Sequence, residues 1–362
     1  MFEAKTVLVL GAGASAEVGL PVGNALLSEI CKLIDIKFDY GSQKSGDHLI
    51  TSALKLVLKE GREVNKINEH LHSAWQIIRS AHQGISIDHI VDALEDARVE
   101  RVAKLGIVRA IQLAEENSQF FMRPSDPRHE LNLLQYRSTW YDALTKAICE
   151  KRKKSDLHSV FENISIVSFN YDRCIERYLP VSIANYYGVP TSEIHQLMPK
   201  LEIVRPYGIA GYLDWMGRTD EIHGYELGLE ASRLANSSEM IRTFTQGVAD
   251  EAISQRIQTC ISDAERVIFL GFAFHPQNMS ILEARVDQNT EVLATAHSAS
   301  DNDRKVIQDS ILKTFGYRGD KPSSIIIAAE TCSGLFRSYW RTITAPPVPR
   351  SIRYQLTRKT IG

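Results

Sequence analysis

Six short apolar runs, rich in β-branched residues, limit what this chain can become: TVLVL (6–10), ISIVSF (164–169), LEIV (201–204), RVIFL (266–270), EVLAT (291–295) and SSIII (323–327). Each ends in Gly, Asn or a polar residue, and none shows the apolar–polar alternation of a strand with one wet face. A strand of a parallel sheet is covered by helices on both sides and therefore reads as a continuous apolar run. The segments between the runs, such as 173–179 and 278–286, have room for crossover helices. The alternation predicts an α/β chain, doubly wound in the Rossmann-like manner around a mainly parallel sheet.

One connection is out of scale. Between a helix expected over about 21–34 and the run at 164 lie ITSALKLVLKE (50–60), INEHLHSAWQIIRSAH (67–82), IDHIVDALEDARVERVAKLGIVRAIQLAEE (87–116) and TWYDALTKAICEKRK (139–153). In the third, Ile87, Ile90, Val91 and Leu94 share one helical face, and Ser86 stands where an N-cap belongs. These windows predict a helical insertion over 35–159, interrupting a discontinuous domain of 1–34 and 160–330, with 331–362 as a C-terminal tail. Asp88 and His89 are read as solvated or capping residues of the insertion, with a place near the pocket as the lesser alternative.

The first run leads into GAGASAEVGLPVGN (11–24). Gly11 and Gly13 permit a tight turn and a close backbone approach, and Ser15 adds a hydroxyl. A turn of this kind, opening a helix with bare amides, suits a diphosphate, and G-x-G-x-x-A satisfies a loose dinucleotide fingerprint. A dehydrogenase would place a second strand and a ribose-binding acid some 20 residues on. Asp35 or Asp39 would have to fill that role, but Gly19-Leu20-Pro21 falls where the helix of a dehydrogenase should already be running.

Gly11-Ala12-Gly13-Ala14-Ser15 followed by Gly19-Leu20-Pro21 resembles the first motif of the sirtuin family of NAD-consuming proteins. SFNYD (168–172), RPYGIAGYLDW (205–215) and IFLGFAFHPQN (268–278) resemble three further elements of that family, in its order. The resemblance covers about 1–34 and 160–330. Deacetylating sirtuins carry a four-cysteine zinc module, whereas the five cysteines here (31, 149, 174, 260 and 332) include no C-x-x-C. The chain is therefore similar to the bacterial sirtuin-like group with a large helical insertion, whose members typically cleave NAD, many of them in antiphage defence. The resemblance implies NAD as substrate or ligand, no metal, and a regulatory partner or homo-oligomer to restrain the activity.

It also implies a site. Asn170 is expected to hold the ribose hydroxyls or orient a water. Asp172 stabilises the ribosyl cation or fixes Asn170, unless both residues merely cap a helix. Ala12, Ala14, Gly19 and Pro21 join the glycine bend as cofactor contacts, and Gly271, Phe272, Phe274 and His297 line the dinucleotide. Where related proteins place a histidine base, this chain has Tyr207. A phenol with a reference pKa near 10 is a poor base at neutral pH, so Tyr207 would donate a hydrogen bond, stack on a ring or pack in the core. His275 and His297, at strand ends, are the histidines available to substitute; His195 and His223 receive no role, and Asp214 and Trp215 could equally be packing residues. Three functions follow: an NAD glycohydrolase, a catalytically silent module for NAD or ADP-ribose, and, more weakly, a Rossmann oxidoreductase.

Composition supports a globular chain, with 44% hydrophobic and 24% charged residues. The net charge of −2 gives no case for a nucleic-acid partner, and the single basic cluster, KRKK at 151–154, reads as solvated surface. With unpaired thiols, no apolar stretch long enough to span a bilayer and too short an apolar start for a signal peptide, a cytoplasmic protein is expected.

Overall fold

The computed structural model describes residues 2–121, 131–217, 230–244, 246, 250–317 and 324–346. All six apolar runs are strands of one sheet: β1 (Thr6–Leu10), β4 (Ile164–Ser168), β5 (Glu202–Val204), β6 (Arg266–Leu270), β7 (Glu291–Thr295) and β8 (Ser324–Ala328). Their order is β5-β4-β1-β6-β7-β8 and every pairing is parallel. Counted within this sheet, that is the 3-2-1-4-5-6 order of the doubly wound fold, whose direction of winding reverses between β1 and β6. Every residue of β1, β6 and β7 is buried, while the edge strands β5 and β8 are only partly covered.

The alternation of side chains along β1 divides the core. Val7 and Val9 face one hydrophobic cluster with the insertion helices, and Leu8 and Leu10 face the other. After α1 (Asn24–Ile34), the insertion supplies α2 (His48–Glu60), α3 (Ile67–Ser80), α4 (Ile87–Leu94), α5 (Ala97–Glu116) and α6 (Trp140–Cys149). The long window at 87–116 is therefore two helices, parted at Glu95, whose φ of 46° ends α4 in the left-handed region. Ser86 caps α4, its Oγ accepting from the His89 amide.

Two segments differ from expectation. Lys37–Asp39 forms β2 of an antiparallel hairpin with β3 (Ser42–Ser45), outside the main sheet, and Asp35 pairs with Lys37 at 2.8 Å. The strand beside β1 is instead β4, so neither Asp35 nor Asp39 occupies the position of a dehydrogenase acid. The segment read as a tail begins with a helix, Cys332–Thr344, whose Leu335 and Phe336 are fully buried in the second cluster. Its apolar spacing, hidden among polar residues, is that of a docked helix rather than of a free tail.

Candidate functional site

In register, Leu10 lies opposite Ser168 on one side and Leu270 on the other. The three loops that follow these strands consequently emerge side by side at the carboxyl edge of the sheet, where open α/β folds bind ligands. They border a cleft of about 790 Å³, within the range of small-molecule sites. The opposite wall comes from the start of α1 and from residues 85–89 of the insertion.

The glycine bend does not run into an α-helix. It makes two 3-10 turns, Ala12–Ala14 and Ala16–Val18, and α1 begins only at Asn24. Four of its amides already have main-chain acceptors: Gly11 donates to Leu270, Gly13 to Gly271, Ala14 to Gly11 and Ser15 to Ala12, at 2.9–3.1 Å. A diphosphate cradle made of these four amides is thus not what the bend provides. The glycines answer to another backbone. A Cβ on Gly11 would stand 2.6 Å from the Gly271 carbonyl oxygen, and one on Gly13 would stand 2.8 Å from the Gly271 Cα. Gly271 itself has φ +58° and would drive a Cβ to 2.1 Å from the Ala14 nitrogen. Gly271→Ala is therefore expected to destabilise the fold by about 2–4 kcal/mol, combining left-handed strain with overpacking, as measured by chemical denaturation.

Beneath the bend lies a buried polar network. Ser15 Oγ donates to Asp172 Oδ2 at 2.7 Å and accepts from Asn170 Nδ2 at 3.2 Å. Asn170 Nδ2 also donates to the Gly11 carbonyl at 3.0 Å. That carbonyl can only accept, so the amide orientation is fixed and Oδ1 is left over. Asn170 Oδ1 is buried with no hydrogen-bond partner, on a residue that lines the cleft. Asp172 additionally accepts from the Cys174 amide at 3.1 Å, so it holds the first amide of α7 (Cys174–Tyr187) as well as Ser15.

The remaining expected residues divide. Gly11, Ala12, Gly13, Ser15, Pro21, Asn170, Asp172, Tyr207, Gly271, Phe272, Phe274 and His297 line the cleft. Ala14 and Gly19 do not: Ala14 is buried behind the bend, where its carbonyl accepts from the Trp140 indole at 2.6 Å, and Gly19 turns the chain with φ 93° toward Ser118. Phe272 meets Phe169 and Phe274 edge to face, forming an aromatic wall, and Phe274 holds a strained φ of 56°. Tyr207 is buried and donates to Asn278 Oδ1 at 2.6 Å. Burial, reinforced by the carboxylates of Asp88 and Asp92, pushes its phenol further above its ordinary value, so it stays protonated as a donor. His195 stacks on Trp215 in a separate groove beside β5, and His223 lies outside the described residues.

The insertion contributes Asp88 and His89 to the cleft, the lesser alternative of the sequence reading. Asp88 accepts from the Tyr171 hydroxyl at 2.5 Å, and His89 faces His275 with ring centroids 5.5 Å apart. Burial raises the Asp88 carboxyl above its usual range, against the pull of the Tyr171 hydroxyl. The first-turn position of Asp88 and His89 on an amphipathic helix carried no sign of which neighbour they would meet. Sequence reasoning missed Glu17. Its carboxylate accepts from the Trp140 amide at 3.0 Å and the Ser333 amide at 2.7 Å, an anion placed between two helix N-termini.

Among the described lining residues, Glu17, Asp88, Asp172 and Glu330 carry carboxyl groups, and none is Lys or Arg. No helix of the described residues is long and apolar enough to cross a membrane. No family model matches this chain, and no curated protein matches it.

Proposed function

We propose that the protein binds NAD in this cleft and hydrolyses it to nicotinamide and ADP-ribose, as a member of the sirtuin-like group that its motifs resemble. The observation that carries this reading is the unpartnered Asn170 Oδ1. A buried acceptor left unmade costs about 1–3 kcal/mol, and a ligand hydroxyl or an ordered water relieves that cost. Asn170 Oδ1 then accepts from a hydroxyl of the nicotinamide ribose or from the attacking water. Asp172 acts behind it, holding Ser15 and through Ser15 the Asn170 amide, which makes it a positioning residue.

The carboxylates of the cleft, with no Lys or Arg among its described lining, suit the positive charge of the nicotinamide ring and of the ribosyl cation that forms as the glycosidic bond breaks. The diphosphate meets the exposed outer side of the bend, at Ala12 and Ala16, rather than the four engaged amides. Regulation by a protein partner or by self-association, and a role in antiphage defence, belong to the same proposal. Unrestrained loss of NAD would harm the cell that makes the protein.

A silent NAD or ADP-ribose module is the second reading, favoured by Tyr207, whose protonated phenol is committed to Asn278. Calorimetry with NAD and chromatography of released nicotinamide separate the two. The hydrolase is expected to bind NAD and release nicotinamide in equal amounts with ADP-ribose; binding without release selects the silent module. Failure to bind NAD or ADP-ribose overturns both.

A further inference from the structure

Two imidazoles meet in the cleft, and each stands close in the chain to a residue that accepts from a tyrosine hydroxyl. His89 follows Asp88, which accepts from the hydroxyl of Tyr171, the residue after Asn170. His275 opens the helix Pro276–Ile281, which carries Asn278, the acceptor of the Tyr207 hydroxyl. Tyr171 and Tyr207 lie with ring centroids 6.4 Å apart, so the two hydrogen bonds tie α4 and the post-β6 loop to neighbouring rings in the cleft that Asn170 also lines. The histidine rings meet edge to face at 5.5 Å, and Ser86 Oγ lies 2.8 Å from His89 Nδ1. Both rings are half-buried and both line the cleft.

Resting on the NAD-cleaving reading, we infer that His275 is the general base of this site, with His89, clamped by Ser86, positioning its ring. The step balances simply. Water oxygen bonds to C1′ of the ribose while the C1′–N1 bond breaks, and that electron pair neutralises the pyridinium nitrogen as nicotinamide leaves. The water proton passes to His275 and then to solvent. Among the described residues, Asp88, Asp92, Tyr171 and Tyr207 surround the pair, and Glu17, Asp172, His297 and Glu330 line the same cleft. Burial, with His89 nearby, lowers the His275 pKa from its ordinary value, so the ring is neutral and able to accept a proton at neutral pH.

The test compares wild type, His275→Gln and His89→Gln for nicotinamide release across pH and for NAD affinity by calorimetry. Wild-type kcat/KM is expected to rise with pH through a limb below about 6.5, as the base deprotonates. His275→Gln should lower kcat by about 100-fold or more and remove that limb, with NAD affinity within a few-fold of wild type. His89→Gln should lower kcat less and shift the limb without abolishing it. Release that survives His275→Gln with the limb intact overturns the inference and leaves the hydrolase reading standing. Wild type that binds NAD but releases nothing overturns both.

Discussion

Asn170→Ala is expected to lower kcat/KM for nicotinamide release by about 100-fold or more while the protein stays folded. On the proposed NAD-cleaving reading, the size follows from removing a preorganised polar group that contacts the reacting ribose or the attacking water. The fold should tolerate the change, because the substitution deletes an acceptor that had no protein partner together with two donor contacts, to the Gly11 carbonyl and Ser15 Oγ. A stability loss of about 1–2 kcal/mol covers those contacts. Steady-state kinetics beside a denaturation curve separates the two effects. Unchanged release in a folded variant would remove Asn170 from the chemistry.

The second large effect is structural. Glu115, near the end of α5, and Arg173, just after Asp172, form an ion pair in which neither side chain has more than 1% exposure. The guanidinium Nε donates to both carboxylate oxygens at 3.1 Å, and the Arg173 backbone amide donates to Oε1 at 2.9 Å. Glu115→Ala removes the carboxylate that both the buried guanidinium and the Arg173 amide meet, and is expected to cost about 3–5 kcal/mol in chemical denaturation. Glu115→Leu combined with Arg173→Met should recover part of that stability, since an apolar pair of similar volume removes the buried charge while the amide at 173 still lacks the Glu115 carboxylate. Recovered stability without recovered nicotinamide release would show that the pair sets the loop carrying Asn170 and Asp172, beyond holding α5 in place.

The sheet was legible because burial on both faces fills the middle of a strand with apolar residues, even where paired polar ones such as Arg266 and Glu291 stand at its start. That pressure wrote itself into six consecutive stretches of sequence, ending in Leu10, Ser168 and Leu270 where the site begins. The hairpin at 37–45 was not legible. All three residues of β2 are exposed, so no apolar pattern marked it. The bend was half legible: Gly19-Leu20-Pro21 showed that no ordinary helix followed, yet nothing in GAGAS indicated that its glycines accommodate the Gly271 backbone. Asn170, Asp172 and Ser15 were expected at the site and do meet there. Asp88 and His89 were placed at a helix start, and their meeting with Tyr171 and His275 depends on how the insertion folds back over the sheet, which a local pattern does not encode.

The bend takes its main-chain partners from a strand made much later. Gly11 and Gly13 donate to the carbonyls of Leu270 and Gly271, and the polar network below them waits for Asn170 and Asp172. At ribosomal speeds of about 5–20 residues per second, roughly 10–50 s separate the emergence of one partner from that of the other. Throughout that interval the nascent polypeptide owns a glycine loop without a binding chamber. A chain that stops short of β6 therefore lacks the Leu270 and Gly271 carbonyls that hold Gly11 and Gly13 in place.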